Sequence, residues 1–161
     1  MKWQEVCDDP ALRDLPYKIE LNEWGKIIMS PASNRHGILQ AALVRALARA
    51  REDGLVIAEC SVQTSKGVKV ADVAWASAEF MDQQGDVTPY QKAPEVCIEI
   101  FSPSNSPAEM DEKRELYLAK GAQEFWLCDE QGQISVFDCV GHLAASRLFP
   151  NVDRIDTGYH H

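Results

Sequence analysis

The architecture of this chain is decided by Val68-Lys69-Val70-Ala71-Asp72-Val73-Ala74-Trp75, and a second run, Val96-Cys97-Ile98-Glu99-Ile100-Phe101, repeats its pattern. Both runs are short and rich in β-branched residues, and turn-forming residues precede the first and flank the second. Such runs are typical of strands in the interior of a sheet rather than of helices. The chain is therefore expected to be built around a central sheet.

Each run contains one acidic residue among apolar neighbours, Asp72 in the first and Glu99 in the second. A buried carboxylate is costly unless it is paired, protonated or bound to a cation. One such acid alone is more often a strand-end or salt-bridged residue than a ligand. Two on neighbouring strands indicate a site for a hard cation, because Mg²⁺ prefers carboxylate oxygens. If the strands pair with matching faces, strand alternation brings the two carboxylates together.

Three further groups of side chains are candidates for the same site. A water bound to such a cation is a nucleophile for a phosphodiester. Lys113 lies on the next predicted helix, where its ammonium can point at that water or at the phosphorus centre, and Tyr117 lies one turn later on the same face. His36 near a helix start is more typical of a capping residue, with contact to phosphate or metal as the alternative. Glu59 lies in another apolar strand. It is either an outer ligand of the metal or the structural partner of a basic residue, and the structural role is the more common one for such acids.

The remaining pattern predicts a mixed α/β (α+β) protein with one mixed sheet and helices packed on it. The predicted elements are a hairpin over 17–21 and 26–29, a helix over 35–52, strands over 56–62 and 68–75, a polar mobile loop over 81–92, the strand of Glu99, a helix from the capping sequence at Ser106 to Gly121, and strands over 124–128, 134–138 and 142–148. One domain is expected over residues 1–161, with its core over 15–150 and a polar, frayed tail after Pro150.

Composition limits the classes of protein. The 161 residues are 45% hydrophobic, which is ordinary for a globular protein. No apolar stretch is long enough to span a bilayer and the N-terminus lacks the apolar region of a signal peptide, so a cytoplasmic setting without membrane partners is the expectation. The net charge of -9 weighs against a basic DNA-binding surface. It does not exclude a metal-dependent nuclease, whose cations offset phosphate charge locally.

Several other classes of chemistry are disfavoured. The five cysteines form no CxxC pair and no cluster with histidine, which argues against a disulfide framework and against zinc. No phosphate-binding glycine loop, Rossmann glycine pattern or Gly-x-Ser-x-Gly elbow occurs in the sequence. His160 and His161 end the chain and are set aside as a candidate purification tag.

The sequence also resembles a known family in segments that recur in the family's order. They are Tyr17 to Leu21 through Ile28 to Pro31, His36, Ala71 to Ala74, Glu99 to Asn105, Glu112 to Tyr117 and Glu124 to Leu127. With these residues the chain resembles the Uma-two family of proteins assigned as endonucleases, over about residues 15–140. That family is similar to the PD-(D/E)xK restriction-endonuclease superfamily. The resemblance implies a restriction-endonuclease-like mixed sheet flanked by helices, a Mg²⁺-dependent phosphodiesterase site at which Mn²⁺ is an alternative, and, by analogy, a homodimer.

Carried over by position, the resemblance implies that Asp72 and Glu99 are the motif acids and that the carbonyl of Ile100 is a further metal ligand. Ala71 stands where many superfamily members have proline. Phe101 stands where the superfamily lysine belongs, so the role of that lysine passes to Lys113.

The sequence thus predicts a Mg²⁺-dependent endonuclease that hydrolyses phosphodiester bonds of DNA. Asp72 and Glu99 would hold the metal and Lys113 would act on the attacking water, with support from Glu59, His36 and Tyr117. The alternative is a nuclease-fold protein that no longer cleaves and serves as a binding or dimerisation module, which the acidic surface and the absent superfamily lysine favour. A weaker third reading is a metal-dependent hydrolase of small phosphate esters.

Overall fold

A computed structural model describes residues 1–15 and 17–159, so His160 and His161 lie outside the described residues. A six-stranded sheet forms its centre, and a separate two-stranded hairpin packs against it. The elements in chain order are α1 (Trp3–Asp8), a 3₁₀ turn (Pro10–Leu12), β1 (Tyr17–Leu21), β2 (Ile27–Pro31), α2 (Asn34–Ala50), β3 (Leu55–Thr64), β4 (Gly67–Ala76), α3 (Ala78–Gln84), β5 (Val96–Ile100), α4 (Pro107–Ala119), β6 (Glu124–Cys128), β7 (Ile134–Phe137) and β8 (His142–Leu143).

The central sheet has the order β3-β4-β5-β6-β7-β8. Strands β5 and β6 are parallel and are joined through α4, whereas the other neighbouring pairs are antiparallel. A parallel pair needs such a crossover because a tight turn cannot return the chain in the same direction. This mixed sheet with its flanking helices confirms the predicted fold class.

Two hydrophobic cores use alternate residues of the central strands. Val73 and Ile98 belong to the core that includes α2, whereas Ala74 and Cys97 belong to the core that includes Tyr117 of α4. The alternation follows from the two-residue period of a strand, which sends neighbouring side chains to opposite faces. Both faces of β4 and β5 are therefore covered, and all residues of β5 and those of β4 from Val70 onward are buried.

Serine caps begin the three longer helices. Ser33, Ser77 and Ser106 each accept a hydrogen bond from the amide three residues later, which satisfies a free N–H of the first turn. The predicted helices over 35–52 and 106–121 are confirmed within a few residues, but the loop predicted from residue 81 is wrong at its start, because α3 continues to Gln84. Within the described residues, no helix is long and apolar enough to cross a membrane.

The C-terminal part differs most from the prediction. The strand predicted over 142–148 is reduced to His142–Leu143, because the following residues turn inward and bury Phe149 against Trp75 and Trp126. The predicted frayed tail is also wrong as far as Ile155, which is buried and whose amide donates to the carbonyl of Gly132 at 2.8 Å.

The β1–β2 hairpin is fixed against the start of β4. The carboxylate of Glu20 accepts a hydrogen bond from the amide of Val70 at 2.7 Å. Gly67 lies so close to the hairpin that an added Cβ would be 2.2 Å from the carbonyl oxygen of Leu21, and its φ of +91° suits glycine. The close approach places the hairpin residues beside the strand of Asp72.

Candidate active site

Asp72 and Glu99 lie on paired strands and are both only 1% exposed. Strands β4 and β5 pair with Val73 opposite Ile98, so the same register continued by one residue places Asp72 opposite Glu99. Both side chains face one side of the sheet, because they accept hydrogen bonds from the same lysine. The structure thus brings together the two acids singled out in the sequence.

The shared lysine is Lys18 of β1. Its ammonium nitrogen lies 3.0 Å from Oδ1 of Asp72 and 2.9 Å from Oε2 of Glu99, and its side chain is 12% exposed. Burial opposes the charge on Lys18, but the carboxylates of Glu99, Asp72 and Glu20 outweigh it and raise the pKa of Lys18 well above its ordinary value. The positively charged ammonium of Lys18 therefore lies between the two acids.

Glu99 also receives two donors from α4. The ammonium of Lys113 lies 3.1 Å from Oε1 of Glu99 and 3.0 Å from Oε2 of Glu20, and the hydroxyl of Tyr117 donates to Oε1 of Glu99 at 3.0 Å. Burial raises the pKa of Glu99 to about 7, although Lys113 and Lys18 act in the opposite direction. The structure places Lys113 and Tyr117 together at one oxygen of Glu99.

Asp72 is held from three sides. Its Oδ1 contacts Nε2 of His36 at 3.2 Å in addition to Lys18, and its Oδ2 accepts a hydrogen bond from the amide of Ile100 at 2.7 Å. Burial raises the pKa of Asp72, but Lys18 and the imidazole of His36 outweigh burial and leave it below its ordinary value. Ile100 enters the site through its amide, and a metal-binding role for its carbonyl stays a prediction.

Glu59 reaches the site through Gln40 of α2. Nε2 of Gln40 donates to Oε1 of Glu59 at 2.7 Å and to the main-chain carbonyl of Asp72 at 2.8 Å. Glu59 is exposed and has a φ of +55°, although the pairs on either side of it in β3 and β4 are regular. A non-glycine residue in this left-handed conformation is strained, and such strain is found most often at functional sites.

Lys18, Glu20 and Gln40 are the residues of this cluster that the sequence reasoning did not identify as functional. The alternation in β1 contains a signal for two of them, because Ile19 and Leu21 pack in the apolar core beneath the hairpin and Lys18 and Glu20 then face the other way. Gln40 lies one turn after His36, on the same side of α2. What the sequence did not contain was the position of the hairpin relative to β4.

An open cleft of about 400 Å³ leads to this cluster, and its lining includes Lys18, His36, Glu59, Asp72, Glu99 and Lys113. Over residues 1–15 and 17–159, no group of three or more histidine, cysteine or acidic side chains is arranged to hold a metal ion. The convergence of two carboxylates on one ammonium nevertheless suits Mg²⁺, which takes one or two protein carboxylates and completes its shell with water and phosphate oxygens.

The pKa of His36 provides a first prediction. The hydrogen bond to Asp72 raises the pKa of His36 above 6.5 despite partial burial, so NMR titration should place it above that value in the wild type and lower in Asp72→Asn. Because the folded pKa is the higher one, the stabilisation due to His36 is fully present below about pH 6.5 and is lost as the pH rises through the folded pKa. Urea unfolding of wild type and His36→Gln should differ more at about pH 6 than at about pH 9. An equal difference at both would contradict this assignment.

Comparison with known proteins identifies relatives of the fold. A family model described as "Uma2: Putative restriction endonuclease" matches residues 9–156. A solved structure described as a "putative nuclease belonging to DUF820", from Anabaena variabilis ATCC 29413, has 20% sequence identity and a TM-score of 0.65, and the match covers 87% of each chain. No curated protein matches this chain. At this identity the solved structure establishes a likeness of fold.

Proposed function

This chain belongs to the Uma2 family of restriction-endonuclease-like proteins, and from that premise we propose that it is a metal-dependent endonuclease that hydrolyses phosphodiester bonds of DNA. The resemblance found in the sequence segments is confirmed at the level of the family. One observation supports the proposal beyond membership of the family. Two buried acids on neighbouring strands, Asp72 and Glu99, both contact the ammonium of Lys18 at an open cleft. Retaining such a pair against its burial cost is expected of a functional site.

The proposed metal is Mg²⁺, with Mn²⁺ as the alternative, and Asp72, Glu99 and the carbonyl of Ile100 would hold it. When bound, such an ion lowers the pKa of a coordinated water and neutralises charge on the phosphate. Neighbouring side chains of the protein orient the two carboxylates. His36 contacts the carboxylate of Asp72, and the hydroxyl of Tyr117 donates a hydrogen bond to that of Glu99. Donors that are already in place need no reorganisation during the reaction, which is the basis of electrostatic catalysis.

The acidic character of the chain lies mainly outside this cleft. The cluster contains four acids, Glu20, Glu59, Asp72 and Glu99, against two lysines, Lys18 and Lys113, and His36 with its raised pKa. Counted with neutral histidine, the cluster contributes -2 (four acids and two lysines) to the net charge of -9, and the other -7 lies elsewhere in the chain. A phosphate backbone entering the cleft would meet cationic groups at its floor, and a bound divalent ion would add to them.

The experiment is a cleavage assay on supercoiled plasmid DNA with metal-stripped protein, in Mg²⁺, in Mn²⁺ and in chelator. We expect nicked or linear DNA only with a divalent ion, and none from Asp72→Asn under the same conditions. Salt-sensitive retention of DNA without cleavage under any condition would contradict the proposal and favour the binding module. Sedimentation of the same samples tests the homodimer that analogy with restriction-type nucleases suggests.

A further inference from the structure

Lys18 occupies the position at which a divalent ion would have to bind between the two acids. Its ammonium uses Oδ1 of Asp72 and Oε2 of Glu99, one oxygen from each carboxylate. The second oxygens are also engaged, since Oδ2 of Asp72 accepts from the Ile100 amide and Oε1 of Glu99 accepts from Lys113 and Tyr117. A metal ion that joins the two acids therefore has to take the oxygens that Lys18 holds, one of which, Oδ1 of Asp72, also contacts Nε2 of His36 at 3.2 Å.

The two largely buried lysines, Lys18 and Lys113, would be affected differently by a metal ion at the two acids. Lys113 bridges Glu99 and Glu20, so it keeps Glu20 as a partner if Glu99 turns toward a metal ion. Both direct carboxylate partners of Lys18 are the acids that the metal would take. Like charges at contact distance repel strongly in a poorly hydrated site, so the ammonium of Lys18 cannot remain beside the ion.

Lys18 has space into which it can move. Its side chain lines the open cleft and is 12% exposed, although its β1 backbone is fixed to β4 through the neighbouring Glu20. A lysine side chain has four rotatable carbons, so its ammonium can shift by several ångströms without a change of backbone. The direction open to it is the cleft, where a substrate phosphate would lie.

We propose that Lys18 and a divalent cation exchange at the Asp72–Glu99 pair. The ammonium compensates the two acids until a cation binds, then leaves them for the cleft, where it contacts the substrate phosphate. The inference rests on the proposed function, because it assumes that these acids bind the metal. No covalent bond forms or breaks in the exchange.

The test compares metal-stripped wild type with Lys18→Met and Lys113→Met, each of which removes the charge of one largely buried lysine. Calorimetric titration with Mn²⁺ alone should show roughly tenfold tighter binding or more in Lys18→Met, since the cation no longer displaces a charge that holds both ligands. The increase in affinity for Mn²⁺ should be smaller in Lys113→Met. Without metal, Lys18→Met should unfold at a lower temperature than wild type, and Mn²⁺ should restore more of its stability than it adds to wild type.

A second measurement uses the wild type and does not depend on a variant that folds. Acetylation of lysines with a small anhydride, followed by mass spectrometry, should modify Lys18 faster in saturating Mg²⁺ than in chelator. Lys66, which is about half exposed, is the control and should react equally in both. A Lys18 rate that stays constant or falls with Mg²⁺ would overturn the exchange.

The outcomes separate this inference from the proposed function. If wild type binds Mn²⁺ and cleaves DNA but Lys18→Met binds no more tightly, the exchange is overturned and the nuclease stands. If neither protein binds Mn²⁺, both proposals fall. Tighter binding by Lys18→Met together with reduced cleavage by that variant would support both the exchange and the role of Lys18 at the phosphate.

Discussion

Replacing Glu99 with glutamine should reduce DNA cleavage by at least about 10³-fold, because the substitution removes one of two carboxylate ligands at the proposed metal. The amide keeps the size of the side chain, and its oxygen can still accept the hydroxyl of Tyr117. Lys18 keeps Asp72 as a partner and Lys113 keeps Glu20. The fold should therefore survive, and the loss should appear in the rate of plasmid cleavage rather than in the amount of folded protein.

Two matched variants control for the change from acid to amide. Glu124→Gln alters another buried acid, which binds Trp126, Ser146 and the amide of Arg147 away from the cleft. Glu112→Gln alters an exposed acid on the same helix as Lys113. Both should keep cleavage near the wild-type rate at temperatures where they are folded. A Glu99→Gln rate within tenfold of these controls would remove Glu99 from the reaction.

Replacing Phe149 with alanine should lower the free energy of unfolding by about 3–5 kcal/mol, the usual cost of removing a buried aromatic ring. The ring is 1% exposed and lies edge-on to Trp75 and Trp126, with centroids 5.5 and 5.6 Å apart. Its loss leaves a cavity in the core on the face of the central sheet that carries Trp75 and Trp126. Urea denaturation measures the change directly.

Val140→Ala is the control for Phe149, since its side chain is 92% exposed in a nearby loop. It should change the free energy of unfolding by less than about 0.5 kcal/mol. A loss of less than about 1 kcal/mol in Phe149→Ala would mean that the residues directly after β8 do not pack on the sheet.

The parts of the fold that follow from local chemistry could be predicted from the sequence. The β-branched runs predicted β4 and β5, and the capping sequence at Ser106 predicted the start of α4, because a strand period or a capping hydrogen bond depends on residues close in the chain. Phe149 could not be placed in this way. Its burial depends on Trp75 and Trp126, which are distant in sequence and which no local pattern connects to Phe149.

The same distinction between local patterns and contacts distant in sequence applies to the residues of the candidate site. Asp72 and Glu99 could be found because an acid within an apolar run is anomalous in the sequence itself. Lys18 could not, since a lysine alternating with apolar residues is typical of a solvated strand face. Its burial arises from the docking of the hairpin on β4, which brings it to acids that are 54 and 81 residues further along the chain.

The hairpin is a sheet of its own, yet it supplies Lys18 and Glu20 to a cluster whose acids belong to the central sheet. Subglobal opening of a small unit requires less free energy than unfolding of the whole molecule. Detachment of the hairpin would dismantle the cluster while the six strands remain paired, so inactivation and global denaturation are separate events. Amide hydrogen exchange in β1 and β2 would report the detachment of the hairpin and the resulting inactivation. Amide hydrogen exchange in β5 and β6 would report global denaturation.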